Sequence, residues 1–129
     1  MIEQVRRVLE DPRFGDLFGA DSRAEVPIVG RIAAERGAAS GTSVVVSGQV
    51  DRLAVTPGGV LIADYKTNRP APRQLDQVPP AYLRQLALYR AVLGRIYPDR
   101  SVRAALVWTD VPDLMEISAE AMDRALTSP

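Results

Sequence analysis

Gly48-Gln49-Val50-Asp51-Arg52 and, after a short turn, Ala63-Asp64-Tyr65-Lys66-Thr67 decide how this chain reads. The Val-rich run from Thr42 to Val55 predicts one strand, Thr56-Pro57-Gly58-Gly59 a turn, and Val60 to Thr67 a second strand, so the two stretches make a β-hairpin. Side chains alternate along a strand, which puts Asp64 and Lys66 on one face and Tyr65 on the other. An apolar strand ending in Asp-x-Lys leaves a carboxylate and an ammonium side by side. That suits an acid holding a divalent cation and a lysine handling a nucleophile or a developing anion. A carboxylate at the end of a buried strand is costly unless it is paired or bound to a metal. Each acid alone also reads as half of a structural ion pair, Asp51 with Arg52 or Lys66, or as an exposed residue at a sheet edge. Their conjunction with Lys66 favours the chemical reading. Tyr65 reads as a packed aromatic on the opposite face.

Outward from the hairpin, residues 1–10 have Ile2, Val5, Val8 and Leu9 at helical spacing, and Asp11-Pro12 stops that helix. Phe14, Leu17 and Phe18 form a short apolar cluster. Glu25 to Glu35 reads as a strand and Gly37 to Gly41 as a turn of small residues. Asn68 to Pro80 is a polar connector carrying Pro70, Pro72, Pro79 and Pro80. Proline at a tolerated early position then opens the strongest helix, roughly 80–96. Tyr82, Gln85, Tyr89, Val92 and Ile96 make one face of it, and Leu83, Leu86, Ala87 and Leu93 an adjoining one. Val102 to Thr109 is a fourth strand and Leu114 to Ile117 a fifth. Ser118 caps a last helix containing Met122 and Leu126. The order predicts an α/β or α+β fold, a central mixed β-sheet flanked by helices.

The 129 residues suffice for one domain with a real core, taken as 1–129. Sixteen basic residues balance sixteen acidic ones, whereas nucleic-acid binders usually carry a basic surplus. Cysteine and histidine are absent, which excludes disulfides, Cys/His zinc sites, Cys-ligated iron–sulfur clusters and catalysis through His within these residues. The remaining ligand chemistry is carboxylate and carbonyl, suited to Mg²⁺, Mn²⁺ or Ca²⁺. No apolar run approaches membrane-span length and no signal peptide is visible, so the expectation is a cytoplasmic protein with no membrane partner.

Further candidates surround the hairpin. Gln85 and Tyr89 sit four apart, one above the other on the helix, so Gln85 reaches a metal site or a substrate phosphate, or the pair is simply part of an amphipathic face. Glu25, in Ala24-Glu25-Val26-Pro27, is either a surface acid or a third carboxylate facing the other two. Arg52, Asn68 and Arg69 flank the site, with Arg73 farther along. They are solvated surface residues or a groove that holds phosphates by charge.

At these residues the chain resembles the PD-(D/E)XK nuclease superfamily, and more narrowly the RecB-like nuclease domain at the C-terminus of AddA-type helicase–nuclease subunits. The resemblance rests on Ala24 to Pro27, Gly48 to Leu53, Ile62 to Asn68 and Gln85 to Tyr89 in series, with the Val107-Trp108-Thr109 strand after them, and covers about residues 14–126. It implies a restriction-endonuclease-like fold and an Mg²⁺- or Mn²⁺-dependent DNA exonuclease. Asp51 and Asp64 would be metal-binding acids, with the Tyr65 carbonyl completing the shell and Glu25 an upstream acid. Lys66 would act on the attacking water and the transition state. Gln85 would serve catalysis. Arg52, Asn68, Arg69 and Tyr89 would contact DNA, expected to be single-stranded. The resemblance further implies a C-terminal fragment of a longer helicase–nuclease in double-strand break repair, paired with an AddB-like subunit. Two features depart from the pattern: Val50 stands where a proline often precedes the first acid, and the upstream metal-binding histidine of RecB-like domains is missing. The alternative is a catalytically degenerate nuclease fold that binds DNA or a partner subunit.

Overall fold

The predicted hairpin is the middle of a five-stranded sheet in a computed structural model that describes residues 22–33, 43–110 and 113–127. The expected helix over 1–10, the cluster at Phe14, Leu17 and Phe18, and the turn at 37–41 lie outside the described residues. Strand β1 (Ser22–Ala33) pairs antiparallel with β2 (Ser43–Thr56), and β2 with β3 (Gly59–Lys66). Pro57 and Gly58 turn the hairpin, and Thr56 Oγ1 donates to Gly59 O at 3.1 Å.

Helix α1 (Pro80–Ile96) carries the chain back across the sheet, so that β4 (Val102–Trp108) runs parallel to β3. β5 (Asp113–Ile117) closes the edge antiparallel to β4, giving the order β1-β2-β3-β4-β5. Helix α2 (Ala119–Thr127) follows, and Ser118 Oγ accepts from the Ala121 N–H at 3.1 Å, the cap expected from the sequence. This is the α+β fold with a mixed sheet that the sequence predicts.

Helix α1 packs on β1, β2 and β4, and α2 packs on α1, where Arg90 Nη1 meets Asp123 Oδ1 at 2.9 Å. The core between helices and sheet holds Ile28, Val50, Val60, Ile62, Leu86, Val92, Leu93, Leu106 and Trp108. Ala54, Leu61, Ala63, Ala105, Val107 and Leu114 form a second buried cluster on the other face of the sheet. Glycines let α1 settle closely. A Cβ on Gly48 would lie 2.1 Å from Tyr89 Oη, and one on Gly30 would lie 2.8 Å from Val92 Cγ1. Ile96, on the helix face of Tyr82, Gln85, Tyr89 and Val92, is exposed at the helix end.

Candidate active site

Along β3 the helix-facing residues are Val60, Ile62 and then, by alternation, Asp64 and Lys66. The first two are fully buried apolar side chains, and Asp64 continues their row at 5% exposure. The sequence therefore delivers a carboxylate into the edge of a hydrophobic layer.

Asp51 reaches the same place by a change of facing in β2. Val46 and Val50 belong to the helix-side core, and so do Leu53 and Val55, so the two-residue alternation shifts by one between Val50 and Leu53. Asp51 and Arg52 occupy that shift. Opposite it in β1, the register brings Glu25 level with Asp51, and Glu25 has a left-handed backbone with φ 54°. The β2–β3 ladder ends at Arg52 and Ala63. Beyond it the Asp51 side chain takes over as acceptor: the Tyr65 N–H donates to Asp51 Oδ2 at 2.7 Å. Asp51 is thereby tied to the strand that carries Asp64 and Lys66.

Lys66 Nζ lies 2.7 Å from Asp64 Oδ2 and donates to Gln85 Oε1 at 3.2 Å. Gln85 Nε2 donates in turn to Tyr89 Oη at 3.3 Å. The Lys66 backbone is fixed as well, because its carbonyl accepts from both the Thr109 N–H at 2.9 Å and Thr109 Oγ1 at 3.2 Å. Burial pushes the Asp64 pKa up, the adjacent Asp51 carboxyl pushes the same way, and Lys66 pulls against them.

Two converging carboxyls, one desolvated, offer hard oxygen donors and suit Mg²⁺ or Mn²⁺. Asp64 Oδ2 supports that fit: it is a buried carboxylate oxygen whose charge partner is the Lys66 ammonium 2.7 Å away. Among the described residues no group of three or more acids converges on one cation position. Glu25, read from the sequence as a surface acid or as a third carboxylate at the metal, is exposed and, among the described residues, is not gathered with the other two.

The other expected residues divide. Asp51, Asp64, Lys66 and Gln85 come together. Tyr89, expected at DNA, is 5% exposed and packs over Gly48, so it holds Gln85 from inside instead of presenting a surface. Arg52 is level with Ala63, which places it on the face away from α1 and not beside Lys66. Tyr65 shares that face and is 40% exposed, so the expected packed aromatic is half open to solvent. Its position in the β3–β4 ladder is opposite Val107. Arg69 Nε lies 3.1 Å from Asp110 Oδ1, just past the strand ends. Asn68 accepts from Tyr82 Oη at 2.8 Å. Thr109 and Tyr82 are site residues the sequence reading did not assign. Tyr82 shares a helix face with Gln85 and Tyr89, and that spacing was the available signal.

The family model described as the PD-(D/E)XK nuclease superfamily matches residues 1–127. No curated protein matches the chain. A solved structure described as "Crystal structure of SSO0001" aligns with a TM-score of 0.48 at 15% identity, over 96% of this chain and 54% of that one. The chain thus spans about half the length of that structure.

Proposed function

The chain belongs to the PD-(D/E)XK nuclease superfamily, and from that premise we propose that it is the nuclease domain of a DNA-degrading enzyme that hydrolyses phosphodiester bonds with Mg²⁺ or Mn²⁺. The observation that carries this reading is the meeting of Asp51, Asp64 and Lys66 at the end of β3, with Asp64 Oδ2 buried beside the Lys66 ammonium. Asp51 and Asp64 are the side chains that would hold the cation, with the Tyr65 carbonyl as a third oxygen. When bound, the cation supplies Lewis acidity toward the scissile phosphate.

The chain's own residues do the rest. In hydrolysis, a water oxygen forms a new bond to phosphorus and the bond to the sugar oxygen breaks. Negative charge grows on the phosphate oxygens in the transition state. Lys66 Nζ carries positive charge to that place, and its two neighbours hold it there before substrate arrives. Gln85 orients the ammonium, and Tyr89 orients Gln85. Asn68 and Arg69, just beyond β3, are the residues we assign to the phosphates of a bound strand.

The finer reading follows the serial resemblance of the four sequence segments. We take the domain as part of a longer ATP-dependent helicase–nuclease, acting as an exonuclease on single-stranded DNA in double-strand break repair beside an AddB-like subunit. The rival reading, a binding module on the same fold, draws on the zero net charge and on the meeting of only two acids among the described residues.

End-labelled single-stranded DNA, incubated with the chain and Mg²⁺, Mn²⁺ or EDTA beside the Asp64→Ala variant, separates the two. Cation-dependent cutting that vanishes in the variant is expected. DNA binding without cutting leaves the binding module or an incomplete site, and the same assay on a chain extended at its N-terminus separates those two.

A further inference from the structure

Lys66 is held by more than its two polar partners. Its Nζ stands over the ring of Tyr82, 4.2 Å from the ring centroid. The Tyr82 ring is backed by the fully buried Trp108, at 6.2 Å between centroids and 41° between planes, and Trp108 is the β4 residue level with Lys66. The Tyr82 hydroxyl donates to Asn68 Oδ1 at 2.8 Å, two residues past Lys66. The ammonium thus has the Asp64 carboxylate, the Gln85 carbonyl oxygen and an aromatic face around it.

We propose that Tyr82 is the positioning residue of the Lys66 ammonium: its ring face, braced by Trp108, fixes where the positive charge stands, and its hydroxyl pins the ring to the segment leaving β3. The proposal rests on the nuclease reading for its catalytic consequence, though not for the contact itself. The physical reason lies in the shape of a lysine. An ammonium on a flexible four-carbon stem is a poorly oriented point charge. The Asp64 carboxylate, whose Oδ2 the ammonium reaches at 2.7 Å, is also the group that would hold a cation. An aromatic face attracts the same charge through the ring quadrupole without competing as a ligand. The ring therefore gives the ammonium a resting place beside the carboxylate that survives when the carboxylate turns to a metal. Trp108, level with Lys66, stops the ring from retreating.

The test uses the full chain and two readouts. In the cation-free protein, the Lys66 ε-methylene protons, read by carbon–proton correlation NMR, are expected upfield of ordinary lysines because their carbon carries the ammonium that stands over the ring. That shift disappears in Tyr82→Leu and persists in Tyr82→Phe. In the cleavage assay with Mg²⁺, Tyr82→Leu is expected to lose roughly tenfold in kcat with KM within about twofold, the scale of a partly desolvated cation–ring contact. Tyr82→Phe keeps the ring and stays within roughly threefold of the parent, the cost of one lost hydrogen bond. An upfield shift absent from the parent, or lost in Tyr82→Phe, overturns the clamp, and that arm stands even if the leucine variant folds badly. A parent that cuts DNA and a folded leucine variant with unchanged kcat overturns the positioning role. A parent that shows the ring shift without cutting DNA retains the clamp and removes the nuclease reading.

Discussion

The helix-facing row of β3 divides into two halves under the same helix. Val60 and Ile62 are apolar and wholly buried, while Asp64 and Lys66, two and four residues on, are charged. Both halves share one strand and one alternation, yet they are secured differently. The first is held by dispersion and exclusion of water, which ask only for volume and shape. The second is held by directed partners drawn from three parts of the chain: Asp51 from β2, Gln85 and Tyr82 from α1, and Thr109 after β4. The difference teaches that the apolar half is a foundation and the charged half is suspended from it. Damage to the first should cost stability, and damage to the second should cost activity.

The largest expected effect falls on the charged half. Lys66→Ala is expected to lower cleavage by about 10²–10³-fold while circular dichroism still reports a folded chain. Cutting at the parental rate would break the comparison. The apolar half gives the mirror image: Ile62→Ala should cost about 2–5 kcal/mol in denaturant unfolding, with the rate per folded molecule within about threefold of the parent. Where the halves meet, a closer test is available. Gly48→Ala should cost about 1–3 kcal/mol and also slow cleavage, because its Cβ drives against the Tyr89 hydroxyl that steadies Gln85. Adding Tyr89→Phe should recover part of that stability, since the nearest atom removed is the hydroxyl oxygen. No recovery in the double variant would show that the strain lies elsewhere.

The smallest effect is one of pH. Burial raises the Asp64 pKa above its ordinary 3.8, so the folded chain holds that proton more tightly than the unfolded chain. The stability this provides is complete below the ordinary value and is lost as pH rises through the raised one. Without cations, Asp64→Asn should therefore unfold at a higher denaturant concentration than the parent at pH 7 and show no such gain near pH 3, while abolishing cleavage. A variant less stable at pH 7 would mean that the Lys66 charge outweighs desolvation.

Much of this was legible in the residues. Thr56-Pro57-Gly58-Gly59 marks the hairpin turn, the apolar run Val60-Leu61-Ile62-Ala63 marks a strand buried on both faces, and Ser118 marks a helix start. The spacing of Asp64 and Lys66 fixes their common face. Less legible were Tyr89, whose burial depends on the missing Cβ of Gly48 a full strand away, and Arg52, whose face depends on the shift in β2. A one-residue change of facing leaves no mark in composition or periodicity, since Asp51 and Arg52 read equally well on either side. Glu25 shows the same limit, as its sequence neighbours do not announce a left-handed backbone.

The sequence by itself determined the strands, the helix over residues 80–96, the hairpin and the identity of the groups available for chemistry: carboxylates and a lysine, with neither histidine nor cysteine. Those follow from short-range physics, the alternation of side chains and the chemistry of single residues. Only the tertiary structure decided that Asp51 meets Asp64, that Tyr82 and Gln85 flank Lys66, and that Tyr89 faces inward. These contacts join residues 13 to 41 positions apart, and they exist because α1 is laid across the sheet at a height set by Gly30 and Gly48.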